Sequence, residues 1–244
     1  MGARRVLVGV CGFPEARARL YRDLDLVEVQ RTFYQPPAPE TAARWRAEAP
    51  PGFVFTLKAW QLVTHEPASP TYRRLRERLP PRALAECGGL RWNRTTRMAW
   101  ARTLEVAAAL EARAVVVQTP ARFGPTAANL RRLRRFFTEA PRAGLRMVFE
   151  PRGAGWEDAL LRALAAELDL VIAVDPFLRP PPARRGLRYL RLHGRPAYRY
   201  RYRYTDEDLR ALAAIVGGGP AWVLFNNLHM AGDARRFRAL LAAG

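Results

Sequence analysis

Eight short apolar runs separated by stretches of helical periodicity constrain this chain more than any other feature. They span Val6–Val10, Leu26–Gln30, Phe53–Lys58, Ala114–Thr119, Leu145–Glu150, Leu170–Asp175, Leu187–His193 and Ala221–Asn226. Most are continuously hydrophobic, as strands covered on both faces of a parallel sheet should be. Between them lie segments with apolar residues at three and four spacing: Glu40–Glu48, Thr71–Glu86, Thr95–Ala112, Thr126–Ala140, Trp156–Leu168, Asp206–Val216 and Asp233–Ala242. This alternation predicts βαβ units, and the eightfold count predicts a (β/α)8 TIM-type barrel. Its length of 244 residues suits one such domain spanning the whole chain.

An open doubly wound sheet is the other arrangement of such units. It would carry a glycine-rich phosphate loop after the first strand, which Gly9-Val10-Cys11-Gly12 does not supply. Two connections are expected to be irregular. After the third strand, Trp60 to Arg113 holds two helical segments around a Pro80-Pro81 break. After the sixth, Pro176 to Gly186 is too short and proline-rich for a crossover helix. Thr205, with Asp208 three residues on, has the spacing of a capping box.

Composition narrows the partners. The 41 basic residues exceed the 22 acidic ones to give a net charge of +19, which favours phosphates, nucleic acid or anionic lipid as partners. With two cysteines, Cys11 and Cys87, a disulfide framework or zinc site is not expected, and a reducing cytoplasm fits. The apolar stretch behind the N-terminus is shorter than a signal-peptide core, and no run has the length of a membrane span. Only one of the basic residues is a lysine: Lys58, at the end of the third run. Ammonium can lose its proton, form a Schiff base or act as a compact point charge, where guanidinium stays charged and forked.

In barrels the chemistry sits at the C-terminal strand ends, so a polar residue closing an apolar run is the informative event. Strand two carries Glu28 and then Thr32 and Tyr34, strand three Lys58 with His65 beyond it, and strand four Gln118. Strand five has Glu150 and Arg152, strand six Asp175, strand seven Arg191, His193 and then Arg195, and strand eight Asn226 and Asn227. Alternation puts Glu150 and Arg152 on one strand face, and Arg191 and His193 on one face of theirs. A buried lysine needs a partner. Glu28 is the expected one by strand adjacency, with Glu150 an alternative.

Lys58, Glu28, Glu150 and His193 are therefore the expected polar centre. Lysine beside carboxylate and histidine suits a general base, a Schiff-base nucleophile or an electrostatic clamp, and the side chains alone leave hydrolase, lyase and isomerase chemistry open. Arg152, Arg191 and Arg195 add bidentate recognition of phosphate or carboxylate, so a small anionic ligand is the expected partner. Glu28, Glu150, Asp175 and His193 also have the ligand types of a hard divalent-metal site, but their spacing does not argue for one. A closed structural ion-pair network is the competing reading of the same charges.

His65, in a loop, is expected at the surface or on a lid. His193 lies before Gly194, which permits a tight turn or a close backbone approach. Asn226 and Asn227 are read as turn residues with local backbone bonds, ahead of a helix start that barrels often use as a phosphate seat. The run Tyr198-Arg199-Tyr200-Arg201-Tyr202-Arg203-Tyr204 would, if extended, set four tyrosines against three arginines, as a nucleic-acid stacking surface does. A rim loop with packed tyrosines is the plainer reading.

Several ordered stretches together resemble the DUF72 (YecE-like) family. They are Gly9 to Gly12, Val27-Glu28-Val29 through Thr32-Phe33-Tyr34, Trp45 with Pro50 and Phe53 through Lys58, Thr64-His65, Arg191-Leu192-His193-Gly194-Arg195, and Phe225-Asn226-Asn227 with Gly232 and Ala234. The resemblance implies a TIM-barrel-like fold and no established activity. It also implies that Glu28, Thr32, Tyr34, Lys58, His65, Arg191, His193, Asn226 and Asn227 are signature polar positions. The chain departs from the family pattern at Cys11-Gly12-Phe13-Pro14, and at Phe149-Glu150-Pro151-Arg152, where the proline can shift Arg152. Three functions stand open on these grounds: a pocket for a small anion, a nucleic-acid binder using the basic surface and the 198–204 loop, and a non-catalytic scaffold.

Overall fold

A computed structural model describes residues 6–181 and 186–243. Its strands are β1 (Val6–Cys11), β2 (Leu26–Val29), β3 (Val54–Lys58), β4 (Ala114–Gln118), β5 (Arg146–Glu150), β6 (Val171–Val174), β7 (Arg188–Leu192) and β8 (Ala221–Phe225). The helices are α1 (Arg17–Asp23), α2 (Arg31–Tyr34), α3 (Pro39–Glu48), α4 (Gln61–Thr64), α5 (Pro81–Ala85), α6 (Arg94–Ala109), α7 (Ala127–Glu139), α8 (Asp158–Leu168), α9 (Asp206–Val216) and α10 (Met230–Ala243). Neighbouring strands follow chain order, and β8 pairs in parallel with β1, so the sheet closes as a TIM barrel. All eight expected strands are present, within a residue or two of their sequence bounds.

The chain divides into two compact units, one of residues 1–29, 48–55 and 171–244, the other of residues 30–47 and 56–170. In the first, Val8, Val10, Leu26, Val27, Leu190, Leu192, Val223 and Phe225 are buried. Full burial of such a side chain contributes about 1.5–3 kcal/mol. Gly9 fits where no other residue would: a Cβ there would sit 1.9 Å from the Leu26 carbonyl oxygen. In the second unit, Leu57, Val115–Val117, Val148 and Phe149 form the strand layer. Trp100 of α6 meets Phe136 of α7 edge-on at 5.2 Å.

Local signals explain most helix bounds. Asn93 and Thr96 cap α6 reciprocally, and Thr205 and Asp208 form the expected capping box on α9. The helix expected over Thr71–Glu86 is instead a 3-10 turn at Pro70–Arg74 and the five-residue α5, because Pro80 and Pro81 remove the donors a continuous helix needs. α1 has no counterpart in the sequence reading; its seven residues bury only Leu20 and Tyr21, too few to show a period. After β6, Pro176–Pro181 has no helix; the rest of the expected irregular connection, through Arg185, lies outside the described residues. No helix among the described residues is long and apolar enough to cross a membrane.

Candidate functional site

In the unit that holds β3, β4 and β5, Lys58 closes its strand with 6% of its surface exposed. Its Nζ donates to Gln118 Oε1 at 2.8 Å and lies 4.0 Å from the centroid of the Phe33 ring. A buried ammonium gains from both contacts, one dipolar and one with the ring quadrupole. Its backbone carbonyl accepts the Thr32 hydroxyl at 2.7 Å, which ties the turn after β2 to the end of β3. Gln118 is the β4 register partner of Glu150. Glu150 pairs with Arg152 at 2.8 Å, so Pro151 does not separate the two.

His65 is not the surface or lid residue the sequence suggests. It is 6% exposed, packed edge-on against Phe33 at 4.9 Å, with Nδ1 2.8 Å from the Thr64 hydroxyl. The cause is local: α4 turns the chain inward, and Gly88, Gly89 and Leu90 donate backbone bonds to Leu62, Thr64 and Val63, sealing the segment. A Cβ at Gly88 would lie 2.4 Å from the His65 backbone. Burial, reinforced by the positive charges of Lys58 and Arg122, pushes the imidazole pKa down to about 3. His65 is thus a neutral ring near neutral pH. Tyr34 contributes chiefly through its carbonyl, which accepts Gln61 Nε2 at 2.9 Å and Trp60 Nε1 at 3.3 Å, while its ring faces the Arg74 guanidinium.

In the other unit, Glu28 is fully buried. The carboxylate is gripped from β7. Arg191 donates through Nε at 3.0 Å and Nη2 at 2.8 Å, and the Tyr189 hydroxyl donates at 2.8 Å. The planar fork of guanidinium matches a carboxylate as no ammonium does. Arg191 Nη1 is 3.5 Å from His193 Nε2, and His193 Nδ1 is 3.5 Å from Asp175 Oδ2. Asp175 also accepts the His193 backbone N–H at 2.8 Å, and the Tyr198 ring lies 5.2 Å from the imidazole. The order Glu28, Arg191, His193, Asp175 joins a locked ion pair to a histidine beside a carboxylate, a pairing suited to proton transfer.

The remaining expected residues have structural bonds. Arg195 pairs with Asp208 and stacks over Phe177 at 4.7 Å, which directs its guanidinium to the start of α9. Asn227 donates to the Tyr202 carbonyl at 2.7 Å and to Asp233 at 2.8 Å. The Asn226 backbone N–H donates to Leu192 at 2.8 Å.

The tyrosine-arginine run is not extended. Tyr198 has φ +48° and the chain turns, so the tyrosines do not share one face. Tyr198 and Tyr200 are exposed. Tyr202 donates to Asp208 at 2.6 Å. Tyr204 is buried, its hydroxyl accepting the Gly194 N–H at 2.8 Å, with the phenol pKa raised by burial. Gly194, at φ +89°, allows this turn, since a Cβ there would meet the Arg199 carbonyl at 2.1 Å.

Sequence reasoning missed Asp208, Asp233 and Tyr204 as organisers. For Asp208 the capping spacing was a signal. Asp233 has none, because its partners Asn227 and the Tyr204 N–H come from separate loops. Among the described residues no group of three or more His, Cys, Asp or Glu side chains is placed to hold a metal ion. Cys11 and Cys87 are buried thiols.

Comparison with known proteins places this geometry. A DUF72 family protein from Enterococcus faecalis superposes with a TM-score of 0.74 at 18% identity, over 97% of this chain and 95% of that one. Another, from Thermotoga maritima, gives 0.67 at 18% over 97% and 99%. A D-psicose 3-epimerase crystallised with D-fructose gives 0.58 at 13% over 96% and 97%, a likeness of fold to a sugar epimerase barrel. No curated protein sequence matches the chain. The profile of the family described as "Protein of unknown function DUF72" matches residues 15–244, starting just past the atypical Cys11–Pro14 turn. The chain belongs to the DUF72 family.

Proposed function

We propose that the protein binds a small anionic ligand, phosphorylated or carboxylated, at the ends of β3, β4 and β5, with Lys58 as the point charge. The observation that carries this reading is the setting of the one lysine: buried at a strand end, bonded to the neutral Gln118 amide and backed by an aromatic face. Arg152, held to Glu150 at 2.8 Å, brings a guanidinium fork to the same strand ends. Gln118 and the neutral His65 supply hydrogen-bonding atoms that can select hydroxyl or carboxyl groups on such a ligand. A second reading, catalysis at the ends of β6 and β7, draws on the His193–Asp175 pair, whose geometry suits a general base.

Thermal-shift screening across phosphorylated and carboxylated metabolites, divalent metals and oligonucleotides tests the proposal. A ligand at a hundred times its Kd stabilises by about 2.7 kcal/mol. Lys58→Met is expected to fold and to lose the shift produced by carboxylated metabolites. A carboxylate-induced shift that survives Lys58→Met removes the basis for the reading. Stabilisation by oligonucleotides alone, declining steeply with salt, would favour the nucleic-acid alternative.

A further inference from the structure

We infer that the protein has a second anion site, built for a phosphoryl group, outside β3 and β4 and apart from Lys58. The place is a 190 Å³ cavity lined by Thr64, Glu66, Gly89, Arg122, Asn129 and Arg132, among others. Its volume exceeds that of one water, about 30 Å³, severalfold, enough for a phosphoryl group and some of its hydration. The inference goes beyond the Lys58 reading and draws on none of its residues.

Backbone geometry creates the space. Gly89 donates to the Thr64 carbonyl at 3.1 Å and adopts φ +61°. A side chain there would point at Arg132 Nη1, 3.5 Å away, and Glu66 Oε1, 3.8 Å away. Glycine thus leaves open the gap between a guanidinium and a carboxylate. Thr64 and Glu66 flank His65, so the same sealed turn that buries the imidazole fixes this wall.

The charges around the cavity do not cancel. Glu66 takes Arg91 through Oε1 at 3.1 Å and Arg122 through Oε2 at 3.1 Å. Arg132 has no carboxylate partner among the described residues. Three guanidinium groups therefore surround one carboxylate. Arg122 reaches far enough electrostatically to depress the His65 proton affinity. α7, a 13-residue helix capped by Thr126, begins at the cavity with Asn129 in its wall. Its positive dipole end adds to the same field. Two arginine forks with a net positive surround are the recognition chemistry of a phosphate dianion. A planar carboxylate would satisfy one fork and leave the other unmatched. The phosphoryl group can belong to free phosphate or to a phosphate monoester.

Titration calorimetry of the full chain at low ionic strength, with inorganic phosphate and with glycerol 3-phosphate as probes, tests this. The wild type is expected to bind both, and the tighter probe identifies the source of the phosphoryl group. Arg122→Gln/Arg132→Gln should weaken binding by about tenfold or more, since each charge-assisted bond removed is worth roughly 1.5–3 kcal/mol. Arg131→Gln/Arg135→Gln removes equal charge from the same helix and should leave affinity within about twofold if contact rather than net charge is responsible. Glu66→Gln frees both of its arginines and should tighten binding. Lys58→Met should leave phosphate affinity unchanged. The inference is overturned if the wild type binds neither probe, if the two double variants lose affinity equally, or if Lys58→Met abolishes binding. The last outcome would place the phosphoryl group at Lys58 and leave the proposed function standing.

Discussion

His65 makes the stability of this protein depend on pH in a way that one substitution can isolate. The folded chain holds the imidazole pKa at about 3 against an ordinary value of 6.5. Because the unfolded chain takes up a proton near 6.5 and the folded chain does not until about 3, the contribution is fully present above 6.5 and declines as pH falls from there towards 3. The stability lost relative to high pH through a shift of this size amounts to about 2 kcal/mol at pH 5 but only about 0.2 kcal/mol at pH 7. Urea denaturation of the wild type and of His65→Gln at pH 7 and pH 5 is the assay. Every other ionisable group is common to the two chains and cancels in the comparison. Whatever the baseline stability of His65→Gln, its loss between the two pH values should be smaller by about 2 kcal/mol, or about 4–8 °C in Tm for a chain of this size. Equal losses in the two chains would mean that the ring is protonated in the native state, and that neither its burial nor the charges of Lys58 and Arg122 act on it as described.

Two further outcomes bear on the barrel itself. Arg191→Met leaves the Glu28 carboxylate buried without its bidentate partner, and should cost about 3–5 kcal/mol, with Glu28→Gln/Arg191→Met recovering part of it; an unchanged urea midpoint in the single variant would contradict the pairing. Gly9→Ala places a methyl group against the Leu26 carbonyl and should cost about 1–3 kcal/mol or more through backbone displacement. Wild-type stability in that variant would exclude the close approach of β1 to β2.

The strands were legible because each buried parallel strand has to be apolar along its whole length, and no other element in this chain imposes that pattern. Lys58, Glu150, Asp175 and His193 were legible as strand-end positions for the same reason: a polar residue closing an apolar run marks the point where the strand leaves the core. The grip of β7 on Glu28 was not legible: the guanidinium fork of Arg191 and the hydroxyl of Tyr189 hold it from a strand far away in the chain. The burial of His65 was hidden because it depends on backbone bonds from Gly88–Leu90, more than twenty residues downstream. The tyrosine-arginine run forms the turned loop of the plainer reading, because alternation implies a face only when the backbone is extended, and Tyr198 and Gly194 turn it.

The two buried cations at the strand ends show why one of them is lysine. Arg191 meets a carboxylate whose oxygens accept Nε and Nη2 in parallel, with a neighbouring Nη1 3.5 Å from His193; every part of the fork has a task. Its charge is tied to Glu28 at 1% exposure, which leaves it as a fixed support for the histidine. Lys58 directs its ammonium at the Gln118 amide oxygen and the Phe33 ring face. Guanidinium spreads its charge over five donors in a planar fork, whereas ammonium presents its charge compactly over the ring. In a chain that uses arginine at every other basic position, this lysine stands where a compact point charge meets an amide oxygen and an aromatic face. The same distinction separates Lys58 from the arginine-lined cavity between Arg122 and Arg132, where two forks face one space and the chemistry favours a phosphoryl group.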